Sequence, residues 1–285
     1  MSRPQEGVAR NACVIGWPAG HSRSPIIHNY WIRQHGLSGE YRKEAIEPEK
    51  FEAFARSLGA NGYAGANVTI PHKEAALALS QPDERAQAVG ASNTLWFENG
   101  ALKSTNTDVE GFLANLDASA PGWDKDASKK SALVLGAGGS ARAVVFGLRE
   151  RGFAKIHVAN RTLDRALALR ERFGERVLPV GWGAVPDLIE GASLLVNTTS
   201  LGMKGQPPLE VDISRLTPGA VVADIVYVPL VTPLLAAAQA RGLKTADGLG
   251  MLLHQAVRGF HLWFGVKPAV TAELRKIVED DLAKS

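Results

Sequence analysis

Cys13 is the only cysteine among 285 residues, so no intramolecular disulfide can form, and a reducing compartment is indicated. Its apolar neighbours predict that it packs within a strand. No run of apolar residues approaches the roughly eighteen needed to cross a bilayer. Met1–Arg10 is polar with no apolar centre, so no targeting segment is expected and the setting reads as cytoplasmic. Basic blocks are missing too. With a net charge of only +3 there is no electrostatic reason to expect nucleic acid or an acidic membrane as a partner. The seven histidines show no H-E-x-x-H or comparable ligand spacing, so no metal site is expected. The chain that remains is 45% hydrophobic and 21% charged, ordinary for a globular protein long enough to bury two modest cores.

One stretch organises the rest: Ser131-Ala-Leu-Val-Leu-Gly-Ala-Gly-Gly-Ser-Ala-Arg142. The apolar run Ala132–Leu135 stops at Gly136, Gly138 and Gly139, and Ala141–Leu148 continues at helical spacing. This predicts a strand, a tight turn and a helix. Glycines at such a turn let the backbone approach a pyrophosphate, and the helix N-terminus offers free N–H groups and partial positive charge. The signature is G-x-G-x-x-A, with Ala141 in the third small position. A second strand, Lys155–Asn160, ends where an NAD-binding unit usually places Asp or Glu on the ribose. Here stand Asn160, Arg161 and Thr162, with Arg165 a turn later. A carboxylate would repel a 2′-phosphate, whereas guanidinium groups bind one through charge-assisted hydrogen bonds, so the expected cofactor is NADP.

The first hundred residues alternate short strands and helices, which predicts an α/β domain in its own right. A strand, Ala12–Ile15, leads through Gly16–Pro25 into a helix over Ile26–Gln34. Ser24 and Pro25 suit the N-cap and first helical positions. Ser22 has no such duty, and the two hydroxyls beside a helix N-terminus suit a carboxylate ligand. After a second strand, Tyr41–Ala45, and a helix, Pro48–Leu58, a strand breaks at Pro71. This brings Asn67, Thr69 and Lys73 to its C-terminal end, where open α/β sheets bind ligands. Asn99-Gly100 signals a type I′ hairpin. Its second arm delivers Asp108, which suits a helix N-cap and, as a carboxylate, can also face a ligand. Ala118–Lys130, with Pro121, Gly122 and mixed charges, reads as a linker.

Later strands are expected at Val177–Val180, Ser193–Asn197, Ala220–Ile225 and Lys244–Ala246, and a helix over Thr232–Arg241. A long helix from Asp247 to Phe264 should present Leu252, Leu253, Val257, Phe260 and Phe264 as its apolar face, with Gln255 off it. Thr271–Ala283 forms an amphipathic helix that must pack on a domain made earlier, assigned here to the first.

Eight ordered motifs, spread over nearly the whole chain, resemble those of the shikimate dehydrogenase family. They are Gly20-His-Ser-Arg-Ser-Pro25, Asn67-Val-Thr-Ile-Pro-His-Lys73, Ala91-Ser-Asn-Thr94, Asn106-Thr-Asp108, Gly136-Ala-Gly-Gly-Ser140, Asn160-Arg-Thr162, Asn197-Thr-Thr-Ser200 and Asp247-Gly-Leu-Gly-Met251. The resemblance implies a two-domain α/β fold with a cleft between the domains. Residues 1–110 would bind substrate, 111–244 would form a Rossmann-like NADP-binding domain, and 245–285 would be C-terminal helices returning to the first. It implies reversible NADPH-dependent reduction of 3-dehydroshikimate to shikimate, on the route to chorismate and the aromatic amino acids. Lys73 and Asp108 would be the catalytic pair. Ser22 and Ser24, with Tyr227, would hold the substrate carboxylate, and Asn67, Thr69, Asn93, Asp108 and Gln255 the ring hydroxyls. NADP would touch Gly136, Ala137, Gly138, Gly139, Ser140, Asn160, Arg161, Thr162, Arg165, Thr198, Ile225, Gly248 and Met251.

Three residues depart from the family pattern: Val109 where glycine is common, Ser92 where valine is usual, and Phe264 where threonine often stands. None removes a group the chemistry needs. The rival readings are a quinate/shikimate dehydrogenase of broader specificity and a non-catalytic dinucleotide-binding regulator. A monomer and a homodimer are both open.

Overall fold

The structure, a computed structural model, describes residues 10–284, so nearly all of the polar Met1–Arg10 stretch lies outside it. The chain divides into two compact units, one of residues 1–107 with 255–285 and one of residues 108–254. Among the described residues no helix is long and apolar enough to cross a membrane.

The first unit starts with β1 (Asn11–Gly16), α1 (Ser24–Gln34), β2 (Tyr41–Ala45), α2 (Phe51–Arg56), β3 (Tyr63–Val68), α3 (Lys73–Leu79), β4 (Gln81–Pro82), α4 (Glu84–Val89), β5 (Thr94–Glu98) and β6 (Ala101–Thr105). These strands form one mixed sheet in the order β2-β1-β3-β5-β6-β4. β2, β1 and β3 are parallel, so the loops that leave β1 and β3 emerge at the same end of the sheet. On one face Cys13, Ile15, Ala66, Val68 and Leu95 pack against Phe51, Ala55 and Leu58. Cys13 is therefore a core residue of a strand, and burial pushes its thiol well above the usual range. Asn99 and Gly100 both carry positive φ, 51° and 78°, the type I′ geometry that joins β5 to β6.

The second unit comprises α5 (Asp108–Ser119), β7 (Ser131–Leu135), α6 (Gly139–Glu150), β8 (Lys155–Asn160), α7 (Leu163–Phe173), β9 (Val177–Gly181), α8 (Val185–Leu188), β10 (Leu194–Asn197), β11 (Val221–Asp224), α9 (Pro233–Ala240) and β12 (Lys244–Ala246). Its six strands are all parallel, in the order β12-β11-β10-β7-β8-β9. Counted from β7 as the first, this is the doubly wound order 3-2-1-4-5-6, which reverses between β7 and β10. Such a sheet is covered on both faces, and its strands are correspondingly apolar throughout. Ala132 and Val134 pack on one side with Val144, Val145, Leu148 and Phe153. Leu133 and Leu135 pack on the other with Val185, Ile189, Leu216 and Leu235.

Two sequence expectations need correction. Ala118–Lys130 is not a linker but a packed part of the second unit. Ala120, Trp123 and Ala127 are buried in its core. Trp123 stacks on Phe153 at 5.7 Å, and Arg151 lies over its ring. Arg151 also pairs with Asp117 and Asp124 at 2.5 and 2.6 Å. Pro121 and Gly122 there serve a tight turn inside the fold, which composition alone cannot tell from a linker.

The second correction concerns the long helix α10 (Gly248–Phe264), whose first turns belong to the second unit and the remainder to the first. Its buried residues include Leu249, Leu253, Ala256, Phe260, Trp263 and Phe264, while Leu252 and Val257 are only half-buried. Trp263 decides the face in the first unit. Its indole N–H donates to the Leu95 carbonyl at 2.8 Å, and it fills space at Gly65, where an added Cβ would come within 2.2 Å of the indole nitrogen. α11 (Ala272–Leu282) packs on the first unit, with the Tyr30 hydroxyl donating to Glu273 at 3.0 Å and Arg23 paired with Asp281 at 2.6 Å.

Candidate active site

The first unit gathers Asn67, Asn93 and Gln255 into one hydrogen-bonded network. Asn67 is the fifth residue of β3, opposite Val14 of β1, and is buried. Its Oδ1 accepts from the Tyr41 hydroxyl at 2.7 Å, and its Nδ2 donates to the Asn93 carbonyl at 3.3 Å and to Thr94 Oγ1 at 3.1 Å. Asn93 Oδ1 accepts from the Thr107 N–H at 2.8 Å and from the Thr107 and Thr94 hydroxyls, both at 3.1 Å. Gln255 Oε1 lies within reach of the same Thr107 hydroxyl, at 3.2 Å, whose one proton serves either acceptor. Gln255 is thus a buried polar member of α10 rather than a residue turned off its packed face. Asp108 follows Thr107 directly and begins α5, where a carboxylate also suits the helix dipole.

Ser24 is not the N-cap that the sequence suggests. α1 starts at Ser24 itself, after Arg23, and no side chain caps it. The Ser22 hydroxyl accepts the Ser24 N–H at 3.3 Å. Ser24 is buried. Arg23, between them, is drawn off to Asp281. Ser24 therefore lies in the first turn of α1 and not at its N-cap.

Lys73 is half-buried at the first position of α3, on a turn anchored from both sides. The preceding His72 is buried, stacked on Phe51 at 4.4 Å, with Nε2 2.8 Å from the Ile46 carbonyl. The Lys73 carbonyl accepts the Ser92 N–H at 2.9 Å. Thr69, half-buried, donates its N–H to the Ile15 carbonyl at 2.9 Å and places Cγ2 against Gly16, where an added Cβ would meet it at 2.5 Å. Ser92, unusual for the family pattern, is explained by packing: its hydroxyl meets Ser104 Oγ at 2.7 Å, and Ser80 reaches the same oxygen at 2.7 Å. Val109 is fully buried, and Phe264 packs on Phe260 at 4.7 Å.

The second unit holds the remaining residues. Gly136 follows β7 at φ +100°, and a Cβ there would come within 2.8 Å of Thr199 and 2.9 Å of the Thr198 hydroxyl. Thr198 is buried, with both N–H and hydroxyl given to the Leu135 carbonyl at 2.8 and 2.7 Å. By contrast, a Cβ at Gly138 or Gly139 would meet nothing within 4 Å. Open space therefore lies over the N-terminus of α6, where Ser140 and the preceding turn present backbone N–H groups. A cavity of about 750 Å³ adjoins this turn, lined by Ala137, Gly138, Gly139, Arg142, Arg165 and Arg172 among others, with Glu171 as its one carboxylate. At the end of β8 the Asn160 amide donates to the Thr162 carbonyl at 2.8 Å, leaving Arg161 exposed on the turn. The open turn, the free helix end and the arginines fit a dinucleotide carrying an extra phosphate. Sequence reading passes over Arg142 and Arg172. Their signal is position, three residues after Gly139 on α6 and seven after Arg165 on α7.

Loops after β10 and β11 are fixed by one buried carboxylate. Asp224 accepts from Asn197 Nδ2 at 2.9 Å, from the Val226 N–H at 3.0 Å and from the Thr232 hydroxyl at 2.8 Å. Burial raises its pKa, and those three donors oppose the rise. Ile225 and Tyr227, both half-buried, sit on the loop so held. Gly248 lets α10 start against that loop, since a Cβ there would lie 2.2 Å from the Ile225 carbonyl oxygen. Met251 packs partly on the core beside α6.

A doubly wound unit with this turn, joined to an α/β unit carrying a buried polar network at its strand ends, defines a two-domain nicotinamide-dependent oxidoreductase. Family models match residues 14–95 (shikimate dehydrogenase substrate binding domain), 120–202 (shikimate / quinate 5-dehydrogenase) and 248–276 (shikimate 5'-dehydrogenase C-terminal domain). The shikimate dehydrogenase (NADP(+)) of Rhodopseudomonas palustris strain TIE-1 is 66% identical over 274 residues, 96% of this chain and 98% of its own. That of Nitrobacter winogradskyi is 64% identical over 277 residues, 97% and 98% of the two chains. Among solved structures, shikimate 5-dehydrogenase from Thermus thermophilus in complex with NADP(H) and shikimate is 36% identical, with a TM-score of 0.82 over 96% of this chain and 99% of that one. Quinate dehydrogenase from Corynebacterium glutamicum in complex with NAD is 32% identical, with a TM-score of 0.87 over 95% and 99%. The chain belongs to the shikimate dehydrogenase family.

Proposed function

We infer that this protein is an NADP-dependent shikimate dehydrogenase in which the first unit binds the substrate, the second binds NADP, and Lys73 with Asp108 performs the proton transfer. Membership of the family along nearly the whole chain carries the reading. Bound NADPH supplies the hydride that reaches C3 of 3-dehydroshikimate. Reduction places negative charge on the C3 oxygen, and the Lys73 ammonium stabilises that charge and gives it a proton; in the reverse direction the neutral amine takes the proton back. The Asp108 carboxylate accepts from a ring hydroxyl and holds the Lys73 ammonium in place. Ser22, Ser24 and Tyr227 hold the carboxylate of the substrate, while Asn67, Thr69, Asn93 and Gln255 set the ring orientation.

For NADP, Gly136 to Ser140 receive the pyrophosphate and Asn160, Arg161, Thr162 and Arg165 the 2′-phosphate, with Thr198, Ile225, Gly248 and Met251 lining the remainder. Asn160 in place of an acidic residue favours NADP over NAD, because no carboxylate at that position repels the phosphate. The reading extends to a cytoplasmic enzyme, a monomer or a homodimer, which sedimentation velocity distinguishes. The test is nicotinamide absorbance with purified protein, crossing shikimate and quinate with NADP and NAD. Turnover confined to shikimate with NADP supports every assignment; strong quinate turnover moves the protein to the broader-specificity class, and silence in all four combinations overturns the enzymatic reading.

A further inference from the structure

We propose that Tyr41 is a positioning residue for substrate recognition, its buried hydroxyl fixing the amide of Asn67. This rests on the reading of Asn67 as a substrate ligand. Tyr41 opens a strand that is otherwise Arg-Lys-Glu-Ala, and it is 1% exposed while Arg42 and Lys43 beside it face solvent. Its backbone is clamped by Asn29 of α1, whose amide donates to the Tyr41 carbonyl and accepts the Tyr41 N–H, both at 2.9 Å. The ring stacks on His28 at 4.2 Å between centroids and 10° between planes, with Trp263 at 5.9 Å. Held at backbone and ring, the phenol has one place for its oxygen.

That oxygen carries a single proton, and the proton goes to Asn67 Oδ1 at 2.7 Å. Burial pushes the phenol pKa well up, so Tyr41 remains a donor over the whole working range. One orientation follows. The Asn67 amide cannot flip, because its oxygen is claimed by Tyr41 and its nitrogen by the Asn93 carbonyl and Thr94. The strand edge thus sets the partner of a ring hydroxyl before substrate enters.

Tyr41→Phe keeps the ring and its stack and removes only the hydroxyl. Expected are a rise in KM for shikimate of about tenfold, the usual consequence of leaving buried polar partners unsatisfied, a kcat within about threefold of wild type, and an unchanged Kd for NADP by fluorescence titration. A merely structural role would instead lower Tm and the active fraction and leave KM alone. Asn67→Ala is measured beside it. If Asn67→Ala raises KM and Tyr41→Phe does not, the positioning role is overturned while the ligand reading stands. If Asn67→Ala leaves KM unchanged, the ligand reading fails and takes the proposal with it. Should Tyr41→Phe not fold, Asn29→Ala, which releases the backbone clamp, gives the same readout: a raised KM with kcat held supports the proposal, and an unchanged KM overturns it.

Discussion

His28 makes the folding stability of this protein fall on mild acidification. The imidazole is fully buried against Tyr41, Trp31, Phe260 and Trp263, with no well-formed hydrogen bond at either ring nitrogen. Burial pushes its pKa down from 6.5 to about 3, with the Asn67 side chain opposing in part. Below the unfolded value the unfolded chain takes up a proton that the folded protein refuses. The contribution is therefore complete above 6.5 and is lost progressively as pH falls toward 3. A pKa unit corresponds to about 1.4 kcal/mol, so going from about pH 7 to about pH 5 removes about 2 kcal/mol through this group. Burial also lowers His157 and His254, which add to the loss but are common to both proteins compared. The assay is urea unfolding of wild type and His28→Phe at both pH values, followed by tryptophan fluorescence. Whatever the substitution does to packing cancels in the difference between pH values, leaving the wild type to lose about 2 kcal/mol more than the variant. Equal losses would refute the claim that His28 is held neutral in the folded state.

Lys73→Ala should lower kcat by on the order of 10²–10⁴ with little change in KM, as loss of an acid–base group does, and steady-state kinetics with shikimate and NADP will decide it. Arg161→Ala should weaken NADP binding by about 1.5–3 kcal/mol and leave NAD nearly untouched; equal losses by titration calorimetry would show that it does not read the 2′-phosphate. Gly136→Ala, at φ +100° and with a Cβ pressed to 2.8 Å from Thr199, should lose about 1–3 kcal/mol of stability and weaken NADP binding, and a normal urea midpoint would argue against the strain. Asp224→Ala should lose about 2–3 kcal/mol in the same urea assay, because it leaves Asn197, Thr232 and the Val226 N–H without their shared acceptor.

What can be read from sequence is what local chemistry governs. The apolar run of β7, its glycine turn and the helix after it follow from periodicity and backbone sterics, and the Asn99-Gly100 hairpin follows from φ alone. The doubly wound strand order agrees with the fold class expected from alternating strands and helices. Misread features all depend on partners distant in the chain. Trp123 packs on a phenylalanine thirty residues later, so a segment rich in turn residues reads as a linker. Gln255 reaches Thr107 across 148 positions, which no helical wheel reveals. Tyr41 itself gives only a faint signal, one aromatic in a strand of charged residues.

The first unit is written in two instalments, and this has a consequence for synthesis. Trp31 donates to the Ala269 carbonyl across 238 positions, Arg10 reaches the Trp263 carbonyl across 253, and Trp263 seals the sheet at Gly65. None of these closures is possible until residues 108–254 have been translated. A nascent chain thus carries an unfinished lobe, with Trp31, Tyr41 and His28 lacking their cover, throughout the making of the other. Because chains generally fold as they emerge, the second-made lobe can be the first to mature, and chaperone demand should peak in the interval before residues 255–284 appear.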